Sequence, residues 1–236
     1  MENIYEINNL LKNEEPETIL NYFVDKYKDR AALSSSFSIE DQVITHMIVS
    51  IKNNPKIFTL DTGRLPYETY SLIDRTREHY NIEIEVYFPN NNQTEKMVKE
   101  KGVNLFYNSV EDRKRCCYVR KVEPLKRALS NLDVWITGLR KEQSITRDNL
   151  KIVEYDENYN VIKVNPLCNW TEEKVWNYIK KNNVPYNQLY KHGFKSIGCA
   201  PCTRPVENGG NIRDGRWWWE NSDTKECGLH IKSNIG

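Results

Sequence analysis

The chain has 236 residues, 39% of them apolar and 28% charged, and its 34 basic residues almost balance its 33 acidic ones for a net charge of +1. That composition excludes a disordered chain and suffices for an α/β domain with a sizeable core. It also excludes a strong overall field for nucleic acid or an anionic membrane, so any anion must be held by a local cluster of Lys and Arg.

The first twenty residues, MENIYEINNLLKNEEPETIL, are acidic, polar and helical in pattern. They have no basic n-region and no long apolar run, so no signal peptide is expected. No segment approaches the roughly 20 apolar residues of a membrane span. A cytoplasmic chain with reduced thiols is the expectation. Residues 15–28 put apolar side chains at helical spacing. AALSSSFS (31–38) reads as a short buried strand running into a small-residue turn, and 39–54 as an amphipathic helix. KIFTLDTG (56–63) is a second strand, stopped by Asp61, Thr62 and Gly63. Residues 66–80 start with Pro and continue as a helix. IEIEVYFP (82–89) alternates like a strand, and a helix follows from about 93 to 101. Residues 110–130 are mostly helical, with Pro124 a kink or boundary. DVWITGL (133–139) is a further strand. Residues 151–167 read as a hairpin turning around Asp156–Asn160, and 171–183 as a helix capped by Thr171. From about 185 the chain is irregular, yet it holds RWWWE, three tryptophans expected to pack the tail onto the body of the protein.

Strand–helix alternation over the first part argues for a twisted, mostly parallel sheet with helices on both faces. Such sheets bind ligands beyond the carboxyl ends of their strands, where LSSSFS, LDTGR and TGLRKEQ all lie. Three polar loops there suggest a nucleotide or phosphate pocket, although Ser, Asp and Gly also terminate strands with no ligand.

The six cysteines are 116, 117, 168, 199, 202 and 227. Cys116 and Cys117 are neighbours, and Cys199 and Cys202 form a C-x-x-C turn. Two thiolate pairs suit zinc or an iron–sulfur cluster. Adjacent residues on a helix diverge by about 100°, which is awkward for one small ion and easier for a cube with separate corners. The spacing favours iron–sulfur over zinc, and both over disulfides. Cys168, in NPLCNW, reads as a small core residue. Cys227, in KECGLH, has Lys225 and His230 nearby, and nearby cations lower a thiol pKa. That stretch alone fits an unreactive surface thiol equally well. Planar guanidinium groups suit a compact polyanion, and Lys121, Arg147, Arg213 and Arg216 are expected to converge on one anion beside Cys227.

Taken together, SSSFSIED, FTLDTGRLPYETY, CCYVRKVEPLKRAL, TGLRKEQSITR, GCAPCTRPV, GRWWWE and ECGLH resemble the assimilatory adenylyl-sulfate reductases, iron–sulfur relatives of phosphoadenylyl-sulfate reductase. The matches run from about residue 31 to 230. The resemblance implies a fold like that of the adenine-nucleotide α-hydrolases. It implies a 4Fe–4S cluster on Cys116, Cys117, Cys199 and Cys202, and Cys227 as the nucleophile. Lys121, Arg147, Arg213 and Arg216 would contact the phosphosulfate. Ser36, Phe37 and Ser38, Asp61, Thr62, Gly63 and Arg64, and Gly138 and Leu139 would hold the adenosine. Residues 1–206 would form the nucleotide-binding domain with its cluster, and 207–236 a mobile tail carrying Cys227. The implied reaction is reduction of adenylyl sulfate to sulfite and AMP through a cysteine S-sulfonate, with thioredoxin or a similar dithiol protein as electron donor. No nucleic-acid or membrane partner is expected, and a homo-oligomer stays open.

Three rival readings remain. Phosphoadenylyl sulfate could be the substrate, alone or as well, although enzymes of that kind generally lack the cluster. An ATP-pyrophosphatase or sulfurtransferase of the same fold would want paired glycines that SSSFSIED lacks. A zinc or nucleic-acid-binding module is opposed by the near-zero net charge.

Overall fold

A computed structural model of the chain describes residues 3–144, 147–207 and 209–220. The chain divides into two compact units. One comprises Met1–Thr59, Tyr67–Glu85 and Asn131–Gln188, and the other Leu60–Pro66, Val86–Ser130 and Leu189–Gly236.

Six strands form one sheet: β1 (Ala31–Ser34), β2 (Ile57–Leu60), β3 (Glu85–Tyr87), β4 (Val134–Ile136), β5 (Val153–Asp156) and β6 (Val161–Val164). Their order is β3-β2-β1-β4-β6-β5. β1 pairs in parallel with β2 and β4, and β4 with β6, while the β5–β6 hairpin is antiparallel. The central strands show why. All of Val134, Trp135 and Ile136 are buried, as are Ala31, Ala32 and Leu33, the unbroken apolar run of a parallel strand covered on both faces. Trp135 spends its one polar group well, donating Nε1–H to Ser34 Oγ at 2.6 Å. Edge strand β3 is mostly exposed.

Of the helices in the first unit, α3 (Ile39–Ile51) is the most deeply set, with Val43, Ile44, Met47 and Ile48 fully buried. It starts where Ser38 accepts the Asp41 amide as N-cap. α2 (Pro16–Tyr27) and α8 (Glu172–Asn182) pack against it, and α8 begins on the Thr171 cap read from sequence. α4 (Tyr67–Tyr80) follows Pro66. The first helix, α1 (Ile4–Leu11), solves an edge problem. Asn8 donates to the Val153 carbonyl at 2.7 Å and accepts the Val153 amide at 3.1 Å. An amide side chain thus pairs both backbone groups of a residue on edge strand β5, which would otherwise be open to another strand.

The second unit contains α5 (Asn91–Lys101), α6 (Val110–Cys117) and α7 (Glu123–Leu129). The mostly helical stretch read over 110–130 is divided in two. Between α6 and α7, residues Tyr118–Val122 form a π-turn, in which the Glu123 amide reaches back five residues to Tyr118. Pro124 lies in the first turn of α7, where its missing N–H costs least, so it marks a boundary. The tryptophan expectation also needs correcting. Trp217 is 1% exposed and Trp219 packs on Phe106 and Tyr107, but Trp218 is 42% exposed, lying against Arg204. The chain turns at these residues, with the Glu220 amide bonded back to the Trp217 carbonyl, so the three rings point in different directions. No helix among the described residues is long and apolar enough to cross a membrane.

Replacing Asn8 with Ala is expected to lower unfolding stability by about 1–2 kcal/mol, the worth of two backbone hydrogen bonds left unmade, read as a shift in the urea midpoint. An unchanged midpoint would show that the Asn8 contacts are not what secures β5.

Candidate functional site

In the first unit, two loops at strand ends are stitched together by the opening turn of α3. After β1, the Ser36 amide and hydroxyl both donate to Asp41 Oδ2 at 2.7 Å. Phe37 takes a positive φ of 60° and buries its ring with Leu72 and Ile73, so only its backbone is presented at the loop. Asp41 is buried, and burial pushes its carboxyl up to about 6 against the downward pull of the Ser36 bonds. After β4, Gly138 lies against the same turn: a Cβ there would stand 2.4 Å from Asp41 Oδ1 and 2.9 Å from Glu40 Cβ. Only glycine permits that approach. Next to it, Arg140 is buried and donates to Glu40 at 2.9 Å, Glu142 at 2.9 Å and the Trp170 carbonyl at 3.1 Å. The Gln143 side-chain oxygen accepts the Arg140 amide and the Arg147 guanidinium. Ser36, Gly138 and Arg147 thus belong to one frame, the Gly138 carbonyl accepting from the Gln143 side chain at 3.4 Å, while the Leu139 amide donates to Thr137 Oγ1 at 3.4 Å.

The second unit gathers the cysteines. Cys116 and Cys117 end α6, while Cys199 and Cys202 flank a single 3-10 turn. All four are 8% exposed, share an apolar cluster with Phe106, Val119 and Trp217, and line one pocket with Arg64, Arg120 and Lys121. The Asp61–Arg64 loop lies here as well. Thr62 Oγ1 is 3.3 Å from Cys199 Sγ, the Arg64 carbonyl accepts the Ala200 amide at 2.8 Å, and Arg120 donates to the Thr62 carbonyl at 2.7 Å. Asp61 turns inward onto its own loop, accepting the Gly63 amide at 2.7 Å. Arg216 lies against Gly198, where a Cβ would come within 2.6 Å of its guanidinium, and donates to Ser196 at 3.3 Å. Arg213 faces the Trp217 ring at 5.8 Å.

The electrostatics of this pocket are in tension. Burial pushes the Cys116 thiol up, and Arg120, Arg64 and Lys121 pull it down. Burial and then Cys199 push Cys202 up to about 12, with Lys121 and Arg216 opposing. Buried thiols amid four cations are poised to be ionised by a metal group, since ligand thiols must lose their protons. Two buried donors, Trp217 Nε1 and Arg120 Nε, have no acceptor among the described residues. Those donors and four soft sulfurs fit an iron–sulfur cluster, whose sulfurs accept hydrogen bonds. Among the described residues no three His, Cys, Asp or Glu groups are gathered as a single metal ion requires. The sulfurs line a shared pocket instead.

Of the residues singled out by sequence, the structure brings Thr62, Gly63, Arg64, Lys121 and Arg216 to the four cysteines. Arg147 belongs to the other unit. Cys227 lies outside the described residues. Cys168 is buried, as expected, with burial pushing its thiol up to about 11. Sequence reading missed Asp41, Glu40 and Arg140 as a supporting frame, and Arg113 as a buried charge on the cysteine helix. Helical spacing was the available signal for Arg113, one turn before Cys117.

The phosphoadenosine phosphosulfate reductase domain profile matches residues 30–205. The chain is 51% identical over 203 residues to an adenosine 5'-phosphosulfate reductase of Burkholderia cepacia, covering 86% of this chain and 81% of that one. It is 49% identical over 221 residues to one from Neisseria meningitidis serogroup B, covering 92% and 89%. Among solved structures, it superposes on a phosphoadenylyl-sulfate reductase from Candida auris in a phosphate complex. The TM-score is 0.74 at 29% identity, over 86% of this chain and 96% of that one.

Replacing Gly138 with Ala is expected to destabilise the chain by about 1–3 kcal/mol, as overpacking does, because Glu40 and the α3 backbone cannot yield. Gly198→Ala should cost little stability, since only the end of the Arg216 side chain must move. Thermal melts of both variants check the contrast, and equal losses would contradict it.

Proposed function

This chain belongs to the phosphoadenosine phosphosulfate reductase domain family, and from that premise we propose that it reduces adenylyl sulfate to sulfite and AMP in assimilatory sulfate reduction. The observation that carries this reading is the near-half identity to adenosine 5'-phosphosulfate reductases over most of both chains. The four buried cysteines among cations support it.

The residues divide the work. Lys121, Arg147, Arg213 and Arg216 bind the phosphosulfate, and the loops at Ser36–Ser38, Asp61–Arg64 and Gly138–Leu139 hold the adenosine. The Cys227 thiolate attacks the sulfate sulfur. The S–O bond to the phosphate breaks, its electron pair leaves with AMP, and an S-sulfonate remains on Cys227. The cations offset charge gathering on the leaving oxygen. A dithiol protein of the thioredoxin kind then attacks the Cys227 sulfur, sulfite departs with the S–S electron pair, and the second thiol closes a disulfide and frees Cys227. Cys116, Cys117, Cys199 and Cys202 would hold a 4Fe–4S cluster, which supplies a structural and electrostatic anchor. A cytoplasmic location fits thiol chemistry of this kind.

The phosphoadenylyl-sulfate reductase fold relative keeps a second substrate in view. Sulfite release from adenylyl sulfate and from phosphoadenylyl sulfate, compared with cluster-loaded protein, distinguishes the two, and faster release from the first is expected.

Cys227→Ser is expected to keep the iron and visible colour of anaerobically purified protein while losing turnover by at least about 10³-fold, as removal of a covalent nucleophile does. Wild-type protein mixed with adenylyl sulfate should carry an SO₃ adduct on Cys227 by mass spectrometry. Absence of that adduct, or iron loss in the variant, would overturn the assignment.

A further inference from the structure

One buried charged pair has been given no role above, although its arginine lines the cysteine pocket. Arg113, on α6, and Glu220, closing the RWWWE stretch, meet at two points: Nε to Oε1 at 2.9 Å and Nη2 to Oε2 at 2.8 Å. Their side chains are 1% and 4% exposed. Burying two charges carries a desolvation cost that even good pairing barely offsets, and apolar residues of similar volume often do as well or better. Stability alone therefore does not account for the pair.

The surroundings supply a reason. The Arg113 guanidinium stands 4.7 Å from the Trp217 ring centroid, and Arg216 stands at 4.7 Å from the same ring. Trp217 lines the cysteine pocket and is 1% exposed. Its φ is +40°, strained for a bulky residue and maintained only when neighbours hold it. The Glu220 amide donates to the Trp217 carbonyl at 2.8 Å, and the Trp217 amide donates to the Cys202 carbonyl at 3.2 Å. The helix that ends in Cys116 and Cys117 is therefore tied through Arg113 and Glu220 to the turn that sets Trp217 against the other two cysteines.

We propose that the Arg113–Glu220 pair is a clasp that positions Trp217 as the cover of the cysteine pocket and so limits access to what the cysteines hold. The clasp rests on the reading above only in taking that group to be an iron–sulfur cluster; the cover is a property of the protein itself. Arg113 and Glu220 are positioning residues. Glu220 acts through Arg113 and the ring of Trp217, while Arg113 also lines the cysteine pocket beside Cys117, so the Glu220 variants carry the primary test.

Two measurements test it on full-length wild type, Glu220→Gln and Glu220→Asp. The first is the rate at which a ferrous chelator strips iron from anaerobically purified protein. The second is the rate of iodoacetamide labelling of Cys116, Cys117, Cys199 and Cys202 in iron-free protein, read by mass spectrometry. Loss of the charged pair should raise both rates about tenfold, through easier local opening, while Glu220→Asp keeps most of the protection. Arg113→Lys, which keeps the charge and loses the two-point fit, gives the same readout should Glu220→Gln fail to fold. Rates equal to wild type in Glu220→Gln or Arg113→Lys overturn the clasp. Faster labelling in a chain that binds no iron supports the clasp and removes the cluster reading instead.

Discussion

The second unit is organised around the burial of four thiols. A sulfur in an apolar pocket resists ionisation, yet only an ionised sulfur is a strong ligand. Four cations oppose the effect of burial, arriving from three pieces of chain. Arg64 comes from the loop after β2, Arg120 and Lys121 from the π-turn, and Arg216 from the tail. The loop contacts follow from that need. Thr62 touches Cys199, Arg120 reaches back to the Thr62 carbonyl, and Gly198 leaves room for Arg216. A near-neutral chain thus builds a strongly positive spot, and its overall charge gives no hint of it.

The first unit uses the opposite charge for a related end. Glu40 and Asp41 sit in the first turn of α3, where the helix dipole favours carboxylates. Both are buried and turned to internal duty. Asp41 takes the donors of Ser36 and abuts Gly138, and Glu40 takes Arg140. One helix turn thereby fixes the loop after β1 and the loop after β4 together. Loops placed in this way pay their ordering entropy during folding, so less remains to be lost when a ligand binds.

Much of this was legible in the chain before any coordinates. Alternation of strands and helices announced a mostly parallel sheet, and Thr171 announced a helix start. The cysteine pairs announced a shared centre, because their residue type and spacing have few other uses. The buried ion pairs were not legible. Arg140, Arg113, Glu40 and Glu220 look like any of the charged residues that make up 28% of the chain, and nothing local separates a solvated guanidinium from one sealed against a carboxylate 107 residues away. The π-turn was hidden for a related reason. Its residues are ordinary helix formers, and the wider turn depends on how α6 and α7 must each be phased.

That wider turn carries a geometric consequence. Within Tyr118–Val122 the backbone bond spans one residue more than in an α-turn. The extra residue rotates everything downstream by about 100° relative to a regular helix. The two helices therefore need not share one buried face: Cys116 and Cys117 end α6 at the pocket, while α7 buries Leu125, Ala128 and Leu129 on a face phased independently of it.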